Sequence, residues 1–428
     1  MLKLYNYKDL TAQKIEELCS RKVEDDNLVF SRVENIIAAV KSEGDAALLS
    51  YAEQFDKVKL SSLFIGKEEL VELAKQIPLS VKNAIDVAYQ NIYKFHEAQL
   101  KTEAKIETMP GVNCWREARA IEKVGLYIPG GTAVLPSTFL MLGIPAKIAG
   151  CKEIVVCSPP QSDGKINTYI AYVSTLLNIK KVYLVGGAQA VGAMAFGTET
   201  IPKVNKIFGP GNRYVTEAKK LLQNTVAIDM PAGPSEVLVI ADETANPAFV
   251  AADLLAQAEH GTDSQAILVA TSKKLINEVI VEVEKQLLDL PRKDIAQKAI
   301  ENSYAVFAET LTEAMDFSNA YAPEHLILAT ENFEPLIPLI INAGSVFLGN
   351  LTPESAGDYA SGTNHTLPTS GFARAFSGVS VDTFLKKITF QHLTANGLQN
   401  IGSTVEVLAE AEGLQAHKNA ITIRLKKM

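Results

Sequence analysis

Apolar residues recur every three or four positions over the first 110 residues, which is the spacing of amphipathic helices. The pattern predicts a short helix near 9–20, a second near 28–55 and a longer helical segment over 67–104. From residue 121 short apolar runs end in glycine or proline and pass into helical stretches, as in KVGLYIPGG, EIVVCSPP and KKVYLVGGAQAVGAMAF. This alternation predicts an α/β fold with a parallel sheet.

The second half of the chain continues the alternation. SEVLVIAD (235–242), SQAILVAT (264–271) and AGSVFLGN (343–350) read as further strands with helices between them. After about residue 380 the pattern is helical again. The recurring strand, glycine and helix units are compatible with two similar α/β lobes.

Composition narrows the class of protein. A chain of 428 residues with 47% hydrophobic residues can bury real cores, and its length suggests about three domains. The N-terminus has no apolar signal region and no stretch approaches the roughly 18 apolar residues of a membrane span, so we expect a cytoplasmic protein without membrane association. The net charge of -8 is modest and the basic residues are scattered, which argues against nucleic-acid binding. The four cysteines lack CxxC spacing, and we expect free thiols.

The stretch LLAQAEHGTDSQA (254–266) closes a well-marked helix. Asn246 can cap it, Pro247 suits its first turn and Gly261 can end it. Gln257 and His260 then share one helix face, where both side chains can reach one cation. A histidine at a helix end is also common for dipole reasons, and an amide is an unusual zinc ligand, so this stretch alone favours the structural interpretation.

Three further stretches carry candidate chemistry. In YAPEHLIL, Glu324 and His325 stand next to each other before a strand-like run, where histidine can act as a base and the carboxylate can orient it or activate water; a solvated turn at Pro323 is the alternative. The Gly/Ser/Thr-rich stretch 354–374 carries Asp358 and His365, and its length favours function. AEAEGLQAHKNAI (409–421) holds Glu412 and His417 and is, alone, an ordinary surface helix.

Three glycine stretches end strands: YIPGGTA from residue 127, VGGAQAVG from 185 and FGPGN from 208. None has GxGxxG spacing, so the standard dinucleotide fingerprint is absent. Two of them open helices whose N-termini suit a phosphate, although tight turns alone explain many such glycines.

Taken together, these stretches resemble the histidinol dehydrogenase family. The similarity rests on VGLYIPGGTAVLPST, GGAQAVGAMAFG, KIFGPGN, DMPAGPSEVLVIAD, ADLLAQAEHGTDSQ, YAPEHL, GDYASGTNHTLPT and EGLQAHKNA. The matching segments run in the family's order from about residue 120 to the C-terminus. The helical first quarter carries no diagnostic motif.

The resemblance implies a set of site residues. One zinc ion per subunit is bound by Gln257, His260, Asp358 and His417, the last supplied by the partner subunit of a homodimer. Glu324 and His325 form the acid–base pair. NAD contacts are implied for Tyr127, Gln189 and Asn212. Substrate contacts are implied for the zinc ligands and His325 together with Ser235, His365 and Glu412.

The resemblance also implies the fold and the reaction. Two incomplete Rossmann-like parallel-sheet lobes, similar to the aldehyde dehydrogenases, would carry helical N- and C-terminal extensions. We expect an N-terminal segment (1–24), a main domain (25–126 with 236–379), an NAD domain (127–235) and a helical dimerisation segment (380–428). The family oxidises L-histidinol through bound L-histidinal to L-histidine with two NAD, the last step of histidine biosynthesis.

Three alternatives stay open at this point. An aldehyde-dehydrogenase mechanism would use a thiohemiacetal on Cys151 or Cys157, although nothing cationic near either in sequence would activate a thiol. A zinc hydrolase would have no use for NAD. A zinc-stabilised dimer would have no activity at all.

Overall fold

The computed structural model describes residues 2–21, 27–130, 134–231 and 233–428, so the expected boundary at 24 and 25 lies outside the described residues. The strands are β1 (Lys3–Asn6), β2 (Phe64–Gly66), β3 (Ile106–Met109), β4 (Val112–Ala120), β5 (Lys123–Tyr127), β6 (Glu153–Ser158), β7 (Lys181–Leu184), β8 (Lys206–Phe208), β9 (Ala227–Ile228), β10 (Glu236–Ala241), β11 (Gln265–Ala270), β12 (Tyr304–Phe307), β13 (His325–Ala329), β14 (Ser345–Leu348) and β15 (Leu385–Leu393).

The helices broadly follow the predicted pattern, with the first 110 residues divided among several of them. They are α1 (Ala12–Cys19), α2 (Asn27–Glu43), α3 (Asp45–Tyr51), α4 (Lys67–Ala74), α5 (Leu79–Glu97), α6 (Pro136–Ala149), α7 (Thr168–Leu176), α8 (Gly187–Phe196), α9 (Arg213–Leu222), α10 (Pro247–Ala258), α11 (Lys273–Leu287), α12 (Lys293–Glu301), α13 (Leu311–Tyr321), α14 (Glu354–Tyr359), α15 (Ala395–Ala411) and α16 (Gln415–Lys426).

The first six-stranded sheet has the order β1-β12-β11-β10-β13-β14, and every pairing is parallel. Its central strands are apolar along their whole length because helices cover both faces. Along β10, Val237 and Val239 pack towards α10 and α11, whereas Leu238 and Ile240 pack towards α13. The sequence did not predict β1, which extends this sheet from the N-terminal segment.

The second six-stranded sheet has the order β2-β7-β6-β5-β8-β9, parallel except for the antiparallel edge strand β2. One face packs on α2, α8 and α9 and the other on α4 to α7. Two sheets of this kind confirm the predicted α/β class with two parallel-sheet lobes.

Elements of the segment 25–126, which we expected to group with 236–379, pack on the second sheet. The helices α2, α4 and α5 bury their apolar faces on the second sheet, and β2 and β5 are strands of that sheet. Helical periodicity predicts the helices of this segment. It does not tell on which of two similar apolar sheets the helices pack, because that depends on tertiary packing.

A small antiparallel sheet, in the order β15-β4-β3, carries the C-terminal helices α15 and α16. The helical prediction for 380–428 therefore misses β15, whose sequence LKKITFQHL is exposed along most of its length. Its nine-residue pairing with β4 supplies the hydrogen bonds that a mostly polar strand needs.

The segment after α14 crosses from the first lobe to the second. Asn364 Nδ2 donates to the Met141 carbonyl oxygen at 2.6 Å, and the ring of Phe384 stacks on Phe208 with centroids 4.0 Å apart. This crossing places the Gly/Ser/Thr-rich stretch between the lobes. Among the described residues, no helix combines the length and apolar character that a membrane crossing requires.

Replacing Gly397 with Ala should weaken the attachment of α15 to the β3–β4 turn. A Cβ at this position would lie 2.1 Å from the Gly111 carbonyl oxygen, a clash with rigid backbone. Overpacking of this kind costs about 1–3 kcal/mol, so the thermal unfolding midpoint should fall by several degrees. Gly66→Ala is the control, because its Cβ would meet nothing closer than 3.9 Å. Equal midpoints for the two variants would contradict the close approach.

Candidate active site

Glu324 and His325 lie at the amino end of β13, and both are buried. The parallel pairing of β13 with β10 sets Glu236 beside them. The Glu236 N–H donates to Glu324 Oε2 at 3.0 Å, and the Glu236 carbonyl oxygen lies 3.2 Å from His325 Nδ1. A carbonyl only accepts, so Nδ1 carries a proton, and in the neutral ring Nε2 is the atom that can accept one. This arrangement is that of a general base held in one tautomer.

Two more carboxyl groups face His325 from α14. Glu354 Oε1 lies 3.7 Å from Nδ1, and Asp358 Oδ1 lies 3.5 Å from Nε2. Glu354 is buried, and the sequence analysis missed it. Its spacing of four residues from Asp358 puts both side chains on one helix face. This spacing could have indicated the pair, but the stretch 354–374 reads as a loop because of its Gly, Ser and Thr content.

The buried carboxyl groups have shifted pKa values. Burial raises the pKa of both Glu324 and Glu354 to about 8, against an opposing effect of His325. Burial also raises the pKa of Asp358, but the neighbouring histidines outweigh it and the net pKa is lowered. Burial lowers the pKa of His325, yet the surrounding carboxylates hold it well above its usual value. With two of its carboxyl groups and His325 holding protons near neutral pH, the cluster carries several protons that a metal cation could displace.

Helix α10, which carries Gln257, packs against α14, the helix of Glu354 and Asp358. As predicted, Asn246 caps α10 by accepting from the Ala248 N–H at 2.9 Å, and Pro247 opens it. Gln257 is fully buried, and neither atom of its amide has a hydrogen-bond partner among the described residues. His260 follows the helix end and is exposed, and the charges of Asp358 and His325 act on its ring.

Buried polar atoms without a hydrogen-bond partner indicate where a ligand could bind. Asp358 Oδ1, His325 Nε2 and Glu354 Oε2 are also buried without a hydrogen-bond partner within the described ranges. Each such atom costs about 1–3 kcal/mol unless something binds it. His325, Glu354 and Asp358 offer ligand atoms within 4.8 Å of one another. The chemistry of these donors fits a divalent metal ion.

His365 joins the two lobes at this site. Its Nδ1 lies 2.8 Å from the Asp358 carbonyl oxygen and its Nε2 lies 3.1 Å from Thr138 Oγ1 on α6. Ser235 directly precedes β10, and its carbonyl oxygen accepts from the Gln265 N–H at 3.1 Å. His365 therefore borders the cluster through Asp358, and Ser235 lies one residue before Glu236 in the chain.

The three residues expected at NAD follow strands of the second sheet. Tyr127 ends β5, and its hydroxyl oxygen accepts from the Gly187 N–H at 3.1 Å. Gln189 lies in the first turn of α8, beside Gly187, whose φ of +63° favours glycine. Asn212 caps α9 by accepting from two backbone N–H groups. All three lie at the carboxyl edge of the sheet, where α/β folds bind ligands. Part of YIPGGTA, residues 131–133, lies outside the described residues.

Glu412 and His417 lie apart from the cluster within this chain. Both are exposed, one at the end of α15 and the other on α16. Across the described ranges, none of the hydrogen bonds or ion pairs joins them to the other candidates. A role in the same site would require α15 and α16 of a second subunit.

The chain matches known proteins over its whole length. A family model described as histidinol dehydrogenase covers residues 19–425. The curated histidinol dehydrogenase of Bacteroides fragilis is 55% identical over 428 residues and 100% of both chains. The one named "Histidinol dehydrogenase, chloroplastic" from Arabidopsis thaliana is 54% identical, over 99% of this chain and 92% of its own.

A solved structure agrees with both. The crystal structure of histidinol dehydrogenase from Elizabethkingia anophelis has a TM-score of 0.96 and 53% identity, over 100% of this chain and 98% of that chain. These similarities confirm the resemblance drawn from the motifs. The chain belongs to the histidinol dehydrogenase family of oxidoreductases that act on histidinol.

Proposed function

We propose that this chain oxidises L-histidinol through bound L-histidinal to L-histidine with zinc and two NAD, the last step of histidine biosynthesis. The observation that carries the proposal is the buried pair of Glu324 and His325, with the free Nε2 of His325 facing a cluster of carboxyl groups. A histidine base and a carboxyl group side by side suit two successive oxidations at one carbon, because each oxidation removes a proton from a hydroxyl group on that carbon.

Zinc would be held by Gln257, His260, Asp358 and His417 of the partner subunit. The unpartnered amide of Gln257 and the unpartnered Oδ1 of Asp358 support this set. Bound zinc would orient the nitrogen atoms of histidinol as a Lewis acid. Its positive charge would also lower the pKa of His325, which the carboxylates alone hold too high for a base at neutral pH.

In the first oxidation His325 Nε2 accepts the proton of the alcohol while hydride passes from the same carbon to NAD. The hydrogen bond from Nδ1 to the Glu236 carbonyl oxygen persists and steadies the imidazolium that forms. The products of this half are bound histidinal, NADH and one proton.

In the second oxidation Glu324 removes a proton from water as it adds to the aldehyde, and His325 gives its proton to the aldehyde oxygen, which leaves His325 neutral again. With a pKa of about 8, the ionised form of this carboxyl group is basic enough to take a proton from the attacking water. His325 then takes a proton from the hydrate as hydride passes to a second NAD. Burial of both side chains keeps the aldehyde away from solvent amines.

Other side chains would bind rather than react. Ser235, His365 and Glu412 are proposed substrate contacts, and Tyr127, Gln189 and Asn212 are proposed NAD contacts on a domain of residues 127–235. The hydrogen bond between His365 and Thr138 supports closeness of the two sites, because it joins the lobes at the cluster.

A homodimer with shared active sites completes the proposal. The arm of α15 and α16 exposes Val407, Leu408, Leu414 and Ile423. Apolar side chains grouped on an extended arm indicate a protein interface. The exposed position of His417 on this arm suits a ligand that enters the partner's site.

The direct test is NADH formation from L-histidinol and NAD. We expect two NADH per histidinol, loss of turnover after chelation, and recovery when zinc returns. NADH formation that survives complete metal removal would reject the zinc role. Absence of turnover with any amino alcohol would reject the function, and metal-dependent hydrolysis without NADH would favour the hydrolase.

A matched pair of glutamine variants refines this test. Gln257→Ala should weaken zinc and histidinol binding together, by about tenfold or more, with NAD binding unchanged. Gln286→Ala is the control, because Gln286 Nε2 donates to the Ala248 carbonyl oxygen of the same helix α10 away from the cluster. Zinc content and calorimetric affinities measure the effect without turnover.

Mixed dimers test the shared site. Chains with His417→Ala are combined with chains carrying His325→Ala, each inactive alone. If one subunit supplies His417 to the other, about a quarter of the sites in a random mixture regain both residues, and NADH formation returns accordingly. A mixture as inactive as its components would place both residues in one chain.

Replacing Cys151 or Cys157 should leave the aldehyde step intact. Cys157 is fully buried within β6, and burial raises the pKa of its thiol far above the usual value; burial raises that of Cys151 to about 11. Neither thiol is activated as a nucleophile. Cys157→Ala and Cys151→Ala should therefore oxidise histidinal at near wild-type rates, whereas His325→Ala should not. A selective loss of histidinal oxidation in a cysteine variant would restore the thiohemiacetal mechanism.

A further inference from the structure

Arg21, in the N-terminal segment, forms a bidentate ion pair with the buried carboxylate of Glu236, next to the acid–base pair. Its Nε and Nη2 donate to the two oxygens of Glu236 at 2.7 and 2.8 Å. Its Nη1 donates to the carbonyl oxygens of Cys19 and Tyr321 at 2.7 and 2.8 Å. The guanidinium also lies 3.6 Å from the ring centroid of Tyr321. These contacts hold the guanidinium plane in one orientation.

Glu236 is the residue whose backbone contacts both members of the pair. Its N–H donates to Glu324 and its carbonyl oxygen accepts from His325. The carboxylate is about 1% exposed, and it also lies within 3.4 Å of the Tyr321 hydroxyl oxygen. The side chain of Glu236 is therefore fixed at the point where its main chain orients two reactive groups.

Stability alone is a weak reason for such an ion pair. A buried salt bridge often contributes little net free energy, because removing both charges from water costs as much as their attraction returns. Glu236 begins β10, and its main-chain N–H and carbonyl reach the side chains of the pair, while its carboxylate is also held by the backbone at Glu324 and Ser370. A bidentate fork restrains the rotation of a carboxylate more strongly than a single charge does. The restraint acts on the first residue of the strand.

We propose that Arg21 is a positioning residue for the acid–base pair. The two hydrogen bonds from its guanidinium hold the carboxylate of Glu236 in place. The backbone of Glu236 then holds Glu324 in position and keeps His325 in the tautomer with Nδ1 protonated. The inference rests on the proposed function, since it assigns Arg21 to the same reaction. It makes the N-terminal segment part of the catalytic apparatus, although Arg21 touches no reacting atom.

The test compares kcat and KM for histidinol in full-length zinc-loaded variants. Arg21→Ala should lower kcat by about a hundredfold, because small displacements of a base have effects of that size, with KM within about threefold and zinc content unchanged. Arg21→Lys keeps the charge without the fork, and its kcat should lie between those of Arg21→Ala and the wild type.

Tyr304→Phe is the matched control. The Tyr304 hydroxyl donates to the Leu18 carbonyl oxygen at 2.9 Å, so this variant loosens the same N-terminal segment and leaves the fork intact. Its kcat should stay within about twofold of the wild type. If Arg21→Ala does not fold, Glu236→Gln replaces it. That variant keeps the side-chain shape, breaks the bidentate pairing and should show the same loss of kcat.

Two results would overturn the inference while the wild type still oxidises histidinol. One is a kcat for the Arg21 or Glu236 variants equal to that of Tyr304→Phe. The other is a loss that appears only as a higher KM. A wild type that produces no NADH from histidinol would instead reject the proposed function, so the two failures are distinguishable.

Discussion

The parallel pairing of β10 with β13 is the contact on which the site depends, since it joins residues almost ninety positions apart in the chain. With Val237 opposite His325, the backbone of Glu236 meets Glu324 and His325 at once. A slip of one residue would turn every side chain of β13 to the other face of the sheet. Continuous apolar packing on both faces makes that slip costly, so the precision of the acid–base pair follows from the stability of the sheet.

Local signals in the sequence gave much of this architecture. The cap at Asn246, the proline after it and the strand-like run after His325 are all as predicted, because each depends on neighbouring residues. Glu236 and Arg21 were missed, since nothing nearby in sequence marks a glutamate at a strand start as a partner of residues far along the chain. The strand β15 was missed for a similar reason, because its partner β4 lies far away in the sequence.

The electrostatics of the cluster explain why the motif residues are meaningful only together. Gln257 alone is a poor zinc ligand, and Asp358 alone is an ordinary helix carboxylate. Carboxyl groups packed around one histidine away from solvent hold protons in place of a cation, and the unpartnered oxygen atoms need something to bind. On the proposed function, zinc displaces these protons and supplies the positive charge.

The sheet edges that form the two parts of the site differ in the polar groups they present. The amino edge of the first sheet carries the carboxyl groups, and the carboxyl edge of the second sheet carries turns with glycine and exposed backbone N–H groups. An anionic dinucleotide beside three buried carboxyl groups would be repelled, whereas strand-ending turns and helix N-termini attract phosphate. His365 bridges the edges through Thr138, so only the nicotinamide end of NAD, whose ring is cationic in the oxidised form, would need to approach the acidic cluster. The absence of GxGxxG is then no obstacle, because tight backbone turns at this edge can serve a dinucleotide without that spacing.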